Sequence, residues 1–538
     1  MGYQHRDNLP AILLPPSGVV FLGKRAGCPG KVLHLSPAAG RASPIWYTWR
    51  GRRPGMPQIN ACFVPMQDDG ARLQFLGANR QVTGSRHYLD TGRCRVLVDC
   101  GQFQERPYLD RNWEPSPVPL ESLDAVVLTH AHIDHCGLLP RLVRQGLRAP
   151  IYATEASAEL VEIVLRDSAH IHEEDAAFKQ KRHRKEGRTG PHPVVPLFTN
   201  DDVDRLMPLV RGVPYGRRFR LGQDLEAVFH DAGHILGSAI VEFSVRRPAG
   251  TDHVVFSGDL GQWDRPILRD PTLLEEADYV IMESTYGDRE HTSREDVESQ
   301  LAAAIVRTVG RGGNVVIPTF AIERAQELMY HLSRLFEQHR IPRVPVYLDS
   351  PMAIAVTRLF DRHRECYDEI TQEIVNRGRQ PLGFPSLRLV RTPEESKAIN
   401  DSKMPAVIMA TSGMCTAGRI KHHLVHNVGR PECMVLFTGF QVRGTLGRQI
   451  LDGNPEVRIH GRMHRVRAEV AEIQGLSGHA DRPALLRWLS ALRRPPRGLF
   501  LVHGEESSSL ALADQVRRQW NWNVLVPHYQ QVVALNGT

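Results

Sequence analysis

The sequence predicts an α/β protein of two domains, the second inserted into the first. Three features point there. Short apolar runs bounded by Gly, Asp and His recur between residues 73 and 282, as strands do. Amphipathic stretches such as 137–145 and 156–175 lie between them at helical spacing. A second α/β series occupies 288–455, after which His- and Asp-rich strand ends return. The expected division is a tail at 1–65, an outer domain at 66–287 and 456–538, and an insert at 288–455. At 538 residues the chain is too long for one ordinary domain.

The first 65 residues are rich in Pro, Gly and Arg and read as a disordered tail or as an upstream extension, with the natural start near Met66. Pro15-Pro16 interrupts the apolar run there, which disfavours a secretory signal. No stretch approaches the ~20 apolar residues of a membrane span. The chain is 41% hydrophobic and 24% charged, as globular proteins are, so its composition indicates neither the disordered nor the membrane class. Its net charge of +7 suggests a polyanion partner, but eight of the 67 Lys and Arg and one of the 60 Asp and Glu fall in the tail. The body is thus neutral, so attraction for a polyanion has to come from local patches and bound metal. Eight scattered cysteines without a C-x-x-C pair fit a reducing cytoplasm rather than a disulfide framework or zinc ribbon.

In chain order, residues 73–76, 96–98, 125–128, 227–229, 253–256 and 279–282 are expected as strands. The basic run from Lys179 to Lys185 is expected as a solvated helix end rather than an RNA patch, within a polar loop reaching Pro196. In the insert, helices are expected at 295–309, 322–338 and 353–363, and strands at 314–317, 344–348, 406–410 and 434–438.

The chemistry concentrates at strand ends. His130-Ala131-His132-Ile133-Asp134-His135 follows the buried run 125–128. Alternate side chains of a strand share a face, so His130, His132 and Asp134 are expected to converge, with His135 on the turn behind. Imidazole and carboxylate suit zinc, and a catalytic zinc keeps about three protein ligands, so the crowding suggests two ions. His234, in Asp231-Ala-Gly-His-Ile-Leu-Gly-Ser238, and Asp259, in Phe256-Ser-Gly-Asp-Leu-Gly261, are further candidate ligands after apolar strands.

Together, Asp99, the His130–His135 run, His234 and Asp259 resemble the signature of the metallo-β-lactamase superfamily, whose fold is an αββα sandwich. Glu283-Ser-Thr-Tyr-Gly-Asp288, Pro318-Thr-Phe-Ala-Ile-Glu-Arg-Ala-Gln-Glu327, Asp349-Ser-Pro-Met-Ala353, Thr411-Ser-Gly-Met414, Ser477-Gly-His-Ala-Asp481 and Leu501-Val-His-Gly-Glu505 resemble the β-CASP nucleases. The resemblance runs from about residue 73 to about residue 530 and implies that an α/β β-CASP insert caps the metal site. His503 is similar to the RNA-processing members, whereas the Artemis-type DNA-repair branch has valine there. Glu283-Ser-Thr-Tyr286 resembles the endonuclease subunit of the cleavage and polyadenylation factor and its prokaryotic relatives more than ribonuclease J. Only 35 residues follow His503, too few for the C-terminal domain of ribonuclease J.

The resemblance implies one zinc on His130, His132 and His234, a second on Asp134, His135 and His503, and Asp259 bridging them. It implies a catalytic set of His479 as general acid, Glu283 as its partner, Asp99 as an orienting carboxylate and Asp134. The implied activity is zinc-dependent hydrolysis of single-stranded RNA by hydroxide activated between two metals, chiefly endonucleolytic, leaving 5′ phosphate and 3′ hydroxyl. Two alternatives stand beside it: a 5′-exoribonuclease of ribonuclease J type, and a non-catalytic RNA-binding scaffold. Arg324, Ser350, Ser412, Arg419 and Arg443 are candidate phosphate contacts, although Arg324 and Gln326 also have helical spacing for an internal network with Glu327. No stacking aromatic is assigned. The expected location is cytoplasmic, without a membrane partner, and a homodimer is the candidate self-assembly.

Overall fold

In a computed structural model of the chain, residues 70–187, 194–291, 297–473 and 475–535 are described. The expectation for the tail lies outside them.

Two mixed seven-stranded sheets face each other. The first runs Val532–Leu535, Ala71–Phe75, His87–Asp90, Arg95–Val98, Ala125–Val127, Ile151–Thr154 and Val210–Val213. The second runs Val524–Leu525, Gly498–Val502, Tyr279–Glu283, Gly250–Phe256, Ala239–Arg247, Leu225–Asp231 and Phe219–Arg220. Alternation decides the layering. Leu73, Phe75, Val96, Val98 and Val127 of the first sheet bury against Phe229, Phe243, Val254, Phe256 and Phe500 of the second. The opposite sides of the strands pack under helices: Leu97 and Val126 share a core with Leu142 and Val161, while Val255 and Leu499 share one with Leu485 and Val516. This is the αββα sandwich.

A third, all-parallel sheet runs Leu387–Leu389, Val346–Asp349, Val407–Ala410, Val315–Pro318, Met434–Phe437 and Glu469–Glu472. Helices cover both of its faces, as near-continuous apolar strands require. Helices Val297–Gly310, Arg324–Glu337 and Pro351–Arg362 lie on one face, and Ile420–Asn427 on the other. The boundary expected at 455 is displaced, because Glu469–Glu472 pairs in parallel with Met434–Phe437 and so belongs to the inserted sheet. His-rich composition after residue 455 suggested an earlier return; backbone pairing overrides it.

The strand expectation for the His130–His135 run is also corrected. The strand stops at Val127, His132 immediately precedes a short helix at Ile133–Cys136, and Asp134 and His135 are helical. Convergence therefore comes from a tight turn rather than from strand alternation. The long helix Glu155–Glu186 starts where the Thr154 hydroxyl accepts from the Ser157 N–H and ends at Gly187 in the left-handed conformation. The basic run occupies its largely exposed last turns, so the start of the expected loop, through Glu186, is helix. The long strand Ala239–Arg247 was missed altogether. No helix among the described residues is long and apolar enough to cross a membrane, and the six cysteines described are buried and free.

Candidate metal centre

The site gathers at the ends of strands from both sheets. Asp99 follows Arg95–Val98 and takes φ 59°, a left-handed conformation that Asp tolerates. His503 follows Gly498–Val502 with φ 48° and is tied by its N–H to the Ala78 carbonyl at 2.8 Å. Asp259 follows Gly250–Phe256, and Gly261 lets that turn press on the one before His234. A Cβ at Gly261 would sit 1.8 Å from the Gly233 oxygen.

The donors form two groups. His132 Nδ1 lies 3.2 Å from His130 Nε2 and 3.1 Å from His234 Nε2, and Asp259 Oδ2 lies 3.5 and 3.6 Å from the same two Nε2 atoms. His135 Nε2 lies 3.1 Å from His503 Nε2, which is 3.5 Å from Asp134 Oδ2. The other Asp259 oxygen, Oδ1, stands 3.4 Å from His135 Nε2 and 3.5 Å from His503 Nδ1, so this one carboxylate faces both groups. All of these residues are buried except His132 and Asp134, which are partly so.

Hydrogen bonding behind the rings sets which nitrogens point inward. His234 Nδ1–H donates to the Gly478 carbonyl at 2.8 Å. His135 Nδ1–H donates to Asp99 Oδ2 at 2.8 Å, and Asp99 also accepts from the Thr129 N–H at 2.8 Å and from its hydroxyl at 2.9 Å. The inward nitrogen of His234 is thereby left as a lone pair, and that of His135 becomes one once a cation displaces its second proton. Lone pairs about 3.1 Å apart repel unless a cation or proton lies between them. Zinc–nitrogen bonds of about 2.0–2.1 Å place tetrahedral ligand nitrogens about 3.3 Å apart, so the donor set fits zinc.

Electrostatics separate the two groups. Burial drives the imidazoles of His130 and His234 well below their ordinary pKa, and that of His132 to about 4, leaving the neutral ligating form. Burial also opposes charge on His135 and His503, but the carboxylates of Asp259, Asp99 and Asp134 outweigh it and raise both. Asp134 and Asp259 are correspondingly lowered despite burial, by the imidazoles they face. Metal-free, this group holds protons that a dication can replace.

His479 stands at the rim, with 22% of its side chain exposed. Its Nδ1 is 3.3 Å from Glu283 Oε2 and 3.8 Å from Asp259 Oδ2. Burial disfavours its proton, but Glu283 more than compensates and raises its pKa to about 9. Glu283 is fixed by the Leu260 N–H and the Thr285 hydroxyl, each at 2.6 Å.

The candidate phosphate contacts are scattered in role. Arg324 is buried in an ion pair with Glu327 at 2.6 Å, which also pairs with Arg265. Ser350 is buried and caps the helix Pro351–Arg362 by accepting from the Ala353 N–H. Arg419 donates to Asp349 at 2.5 Å and to the Arg391 carbonyl at 2.9 Å. Half-buried Ser412 accepts from the Thr416 N–H, and Arg443 is exposed. Thr129, Thr285 and the Gly478 carbonyl were not anticipated. Thr129 stands beside the quoted His130–His135 run and Thr285 within the quoted Glu283–Asp288 motif, but nothing in sequence shows that their hydroxyls turn inward.

Three family models match in succession: a β-lactamase superfamily domain at 94–319, a Beta-Casp domain at 325–450, and a Zn-dependent metallo-hydrolase RNA specificity domain at 463–527. Ribonuclease TTHA0252 of Thermus thermophilus is 42% identical over 441 residues, 82% of this chain and 95% of that protein. Transcription termination factor FttA of Methanocaldococcus jannaschii is 33% identical over 485 residues, 87% of this chain and 72% of that protein. A crystal structure of a protein of unknown function from Enterococcus faecalis V583 shares the fold, with a TM-score of 0.50 at 13% identity over 87% of this chain and all of that one. The chain therefore belongs to the β-CASP family of metallo-β-lactamase-fold enzymes, and it is a hydrolytic nuclease.

Proposed function

We propose that the chain is a zinc-dependent ribonuclease that cuts single-stranded RNA, chiefly at internal phosphodiesters. The observation that carries this reading is the pair of donor groups sharing Asp259, with His479 and Glu283 poised at their rim. His130, His132 and His234 would hold one zinc, Asp134, His135 and His503 a second, with Asp259 between them. When bound, two such ions supply Lewis acidity toward phosphate oxygens and lower the pKa of water toward ~7.

The residues themselves do the rest. Asp99 and the Gly478 carbonyl hold His135 and His234 in the ligating tautomer. Glu283 keeps His479 protonated, so that His479 can give its proton to the departing 3′ oxygen, leaving 3′ hydroxyl and 5′ phosphate. Exposed Arg443 and half-buried Ser412 are the two of the five candidate contacts best placed to meet backbone phosphates. Arg324, Ser350 and Arg419 act indirectly, by holding the inserted domain's loops in shape. The six free thiols buried among the described residues support a reducing cytoplasm.

Mapping products of 5′-end-labelled and internally labelled RNA tests the reading. Internal cuts bearing 5′ phosphate support it. Mononucleotides released progressively from one end, or no cleavage at all by the zinc-loaded chain, reject it.

A further inference from the structure

Two exposed phenylalanines share one edge of the inserted sheet. Phe320 lies two residues past the strand Val315–Pro318 and is 40% exposed; Phe440 lies three past the neighbouring Met434–Phe437 and is 56% exposed. Val442 and Arg443 follow in the same loop, also exposed. Isolated apolar side chains on a surface need no explanation, but aromatics grouped on one edge do.

The edge is built to hold them. A Cβ at Gly413, past the adjoining strand Val407–Ala410, would lie 2.7–3.0 Å from the Phe320 ring, so the ring rests on bare backbone and only glycine fits beneath it. A Cβ at Gly439 would stand 3.6 Å from the same ring. The Gln441 side chain donates to the Gly413 and Gly439 carbonyls at 3.1 and 2.9 Å, fastening the two loops together.

This edge also leads to the chemistry. Ligands of parallel sheets bind beyond the carboxyl ends of the strands. The next strand over, Glu469–Glu472, runs within seven residues to His479. Three residues after Phe320, half-buried Glu323 faces the backbone of Leu236, two residues past His234. Arg265 of the outer domain then joins the two sides, pairing with Glu327 and donating to the Ser477 carbonyl.

We propose that Phe320 and Phe440, with Arg443 beside them, form a stacking platform for nucleobases of the RNA strand entering the metal centre. Narrow aromatic faces set among glycines suit flat bases better than a protein surface, and the guanidinium suits the accompanying phosphate. The proposal rests on the ribonuclease reading above.

The test uses the full zinc-loaded chain and a 12-nucleotide RNA, with each base in turn replaced by an abasic sugar. Phe320→Ala and Phe440→Ala should each raise KM by about tenfold, the range of one lost base–aromatic stack. In the parent, one or two abasic positions should impose a similar penalty, and in the double variant none. In Phe320→Trp the fluorescence of the added indole should be quenched by RNA. Unchanged KM in the alanine variants, an abasic penalty as large in the double variant as in the parent, or an unquenched tryptophan overturns the platform while leaving the ribonuclease reading intact. A parent chain that neither binds nor cleaves RNA overturns both.

Discussion

His479 Nδ1 stands 3.3 Å from Glu283 Oε2, and Glu283 is itself held by the Leu260 N–H and the Thr285 hydroxyl. An imidazole at the rim thus faces a carboxylate whose two oxygens each accept a hydrogen bond. His479→Ala should reduce kcat on RNA by about 10²–10⁴-fold, the usual contribution of a general acid, with zinc content preserved. Single-turnover kinetics with metal analysis on the same sample check both.

The same pair sets a pH dependence. With its pKa raised to about 9, His479 stays protonated below that pH and loses its proton above it. Activity requiring the acid should therefore fall on the alkaline side. Glu283→Gln removes the main raising charge, so the alkaline limb of the kcat profile should move to lower pH. Bound zinc opposes the proton too, so the measured limb should lie below that of the metal-free imidazole. A limb unmoved in Glu283→Gln would mean that another group titrates.

Asp99 is buried and accepts from His135 and Thr129. Asp99→Asn keeps the shape but takes the charge from behind His135. Zinc affinity should weaken by roughly 10- to 100-fold, the usual effect of losing such a partner, as competition with a chromogenic chelator would measure.

Gly261 has no room for a side chain, because its Cβ would meet the Gly233 oxygen at 1.8 Å and the His234 nitrogen at 2.9 Å. Gly261→Ala must push apart the turns carrying Asp259 and His234. A destabilisation above about 2 kcal/mol is expected, with reduced zinc content in the fraction that still folds. Denaturant melts read the first and elemental analysis the second.

Away from the centre, Glu242 accepts from His230 at 2.9 Å and His253 at 2.8 Å. These bonds lower its pKa to about 2, and the same bond raises that of His253. Stability from the lowered carboxyl is present above its ordinary 4.5 and lost as pH falls toward 2. Stability from the raised imidazole is present below its ordinary 6.5 and lost as pH rises past its folded value. Both operate near pH 5–6. Glu242→Gln should therefore lower Tm more there than at pH 9, by an amount worth less than about 1 kcal/mol because the groups are partly exposed.

The candidate metal ligands stand out in the sequence because each follows an apolar strand in a short Gly-, His- or Asp-rich turn, a local pattern. What assembles them was not local: His135 and His503 meet across 368 positions of separation. The turn at His132 escaped notice because alternation and a single helical turn both bring residues 130–135 together. The boundary near 455 went astray because strand Glu469–Glu472 is partly exposed and carries no strong apolar run. Arg324 and Arg419 show a further limit: a motif arginine reads alike whether it meets a phosphate or, as here, a buried carboxylate. Phe320 gave no signal, since its exposure depends on Gly413, far along the chain.

The most direct test titrates zinc into the chelator-stripped chain while following cleavage of internally labelled single-stranded RNA. The account predicts no cleavage without metal and a rise to a plateau at two zinc ions per chain. Full cleavage by the stripped chain, or none at any zinc loading, would contradict it.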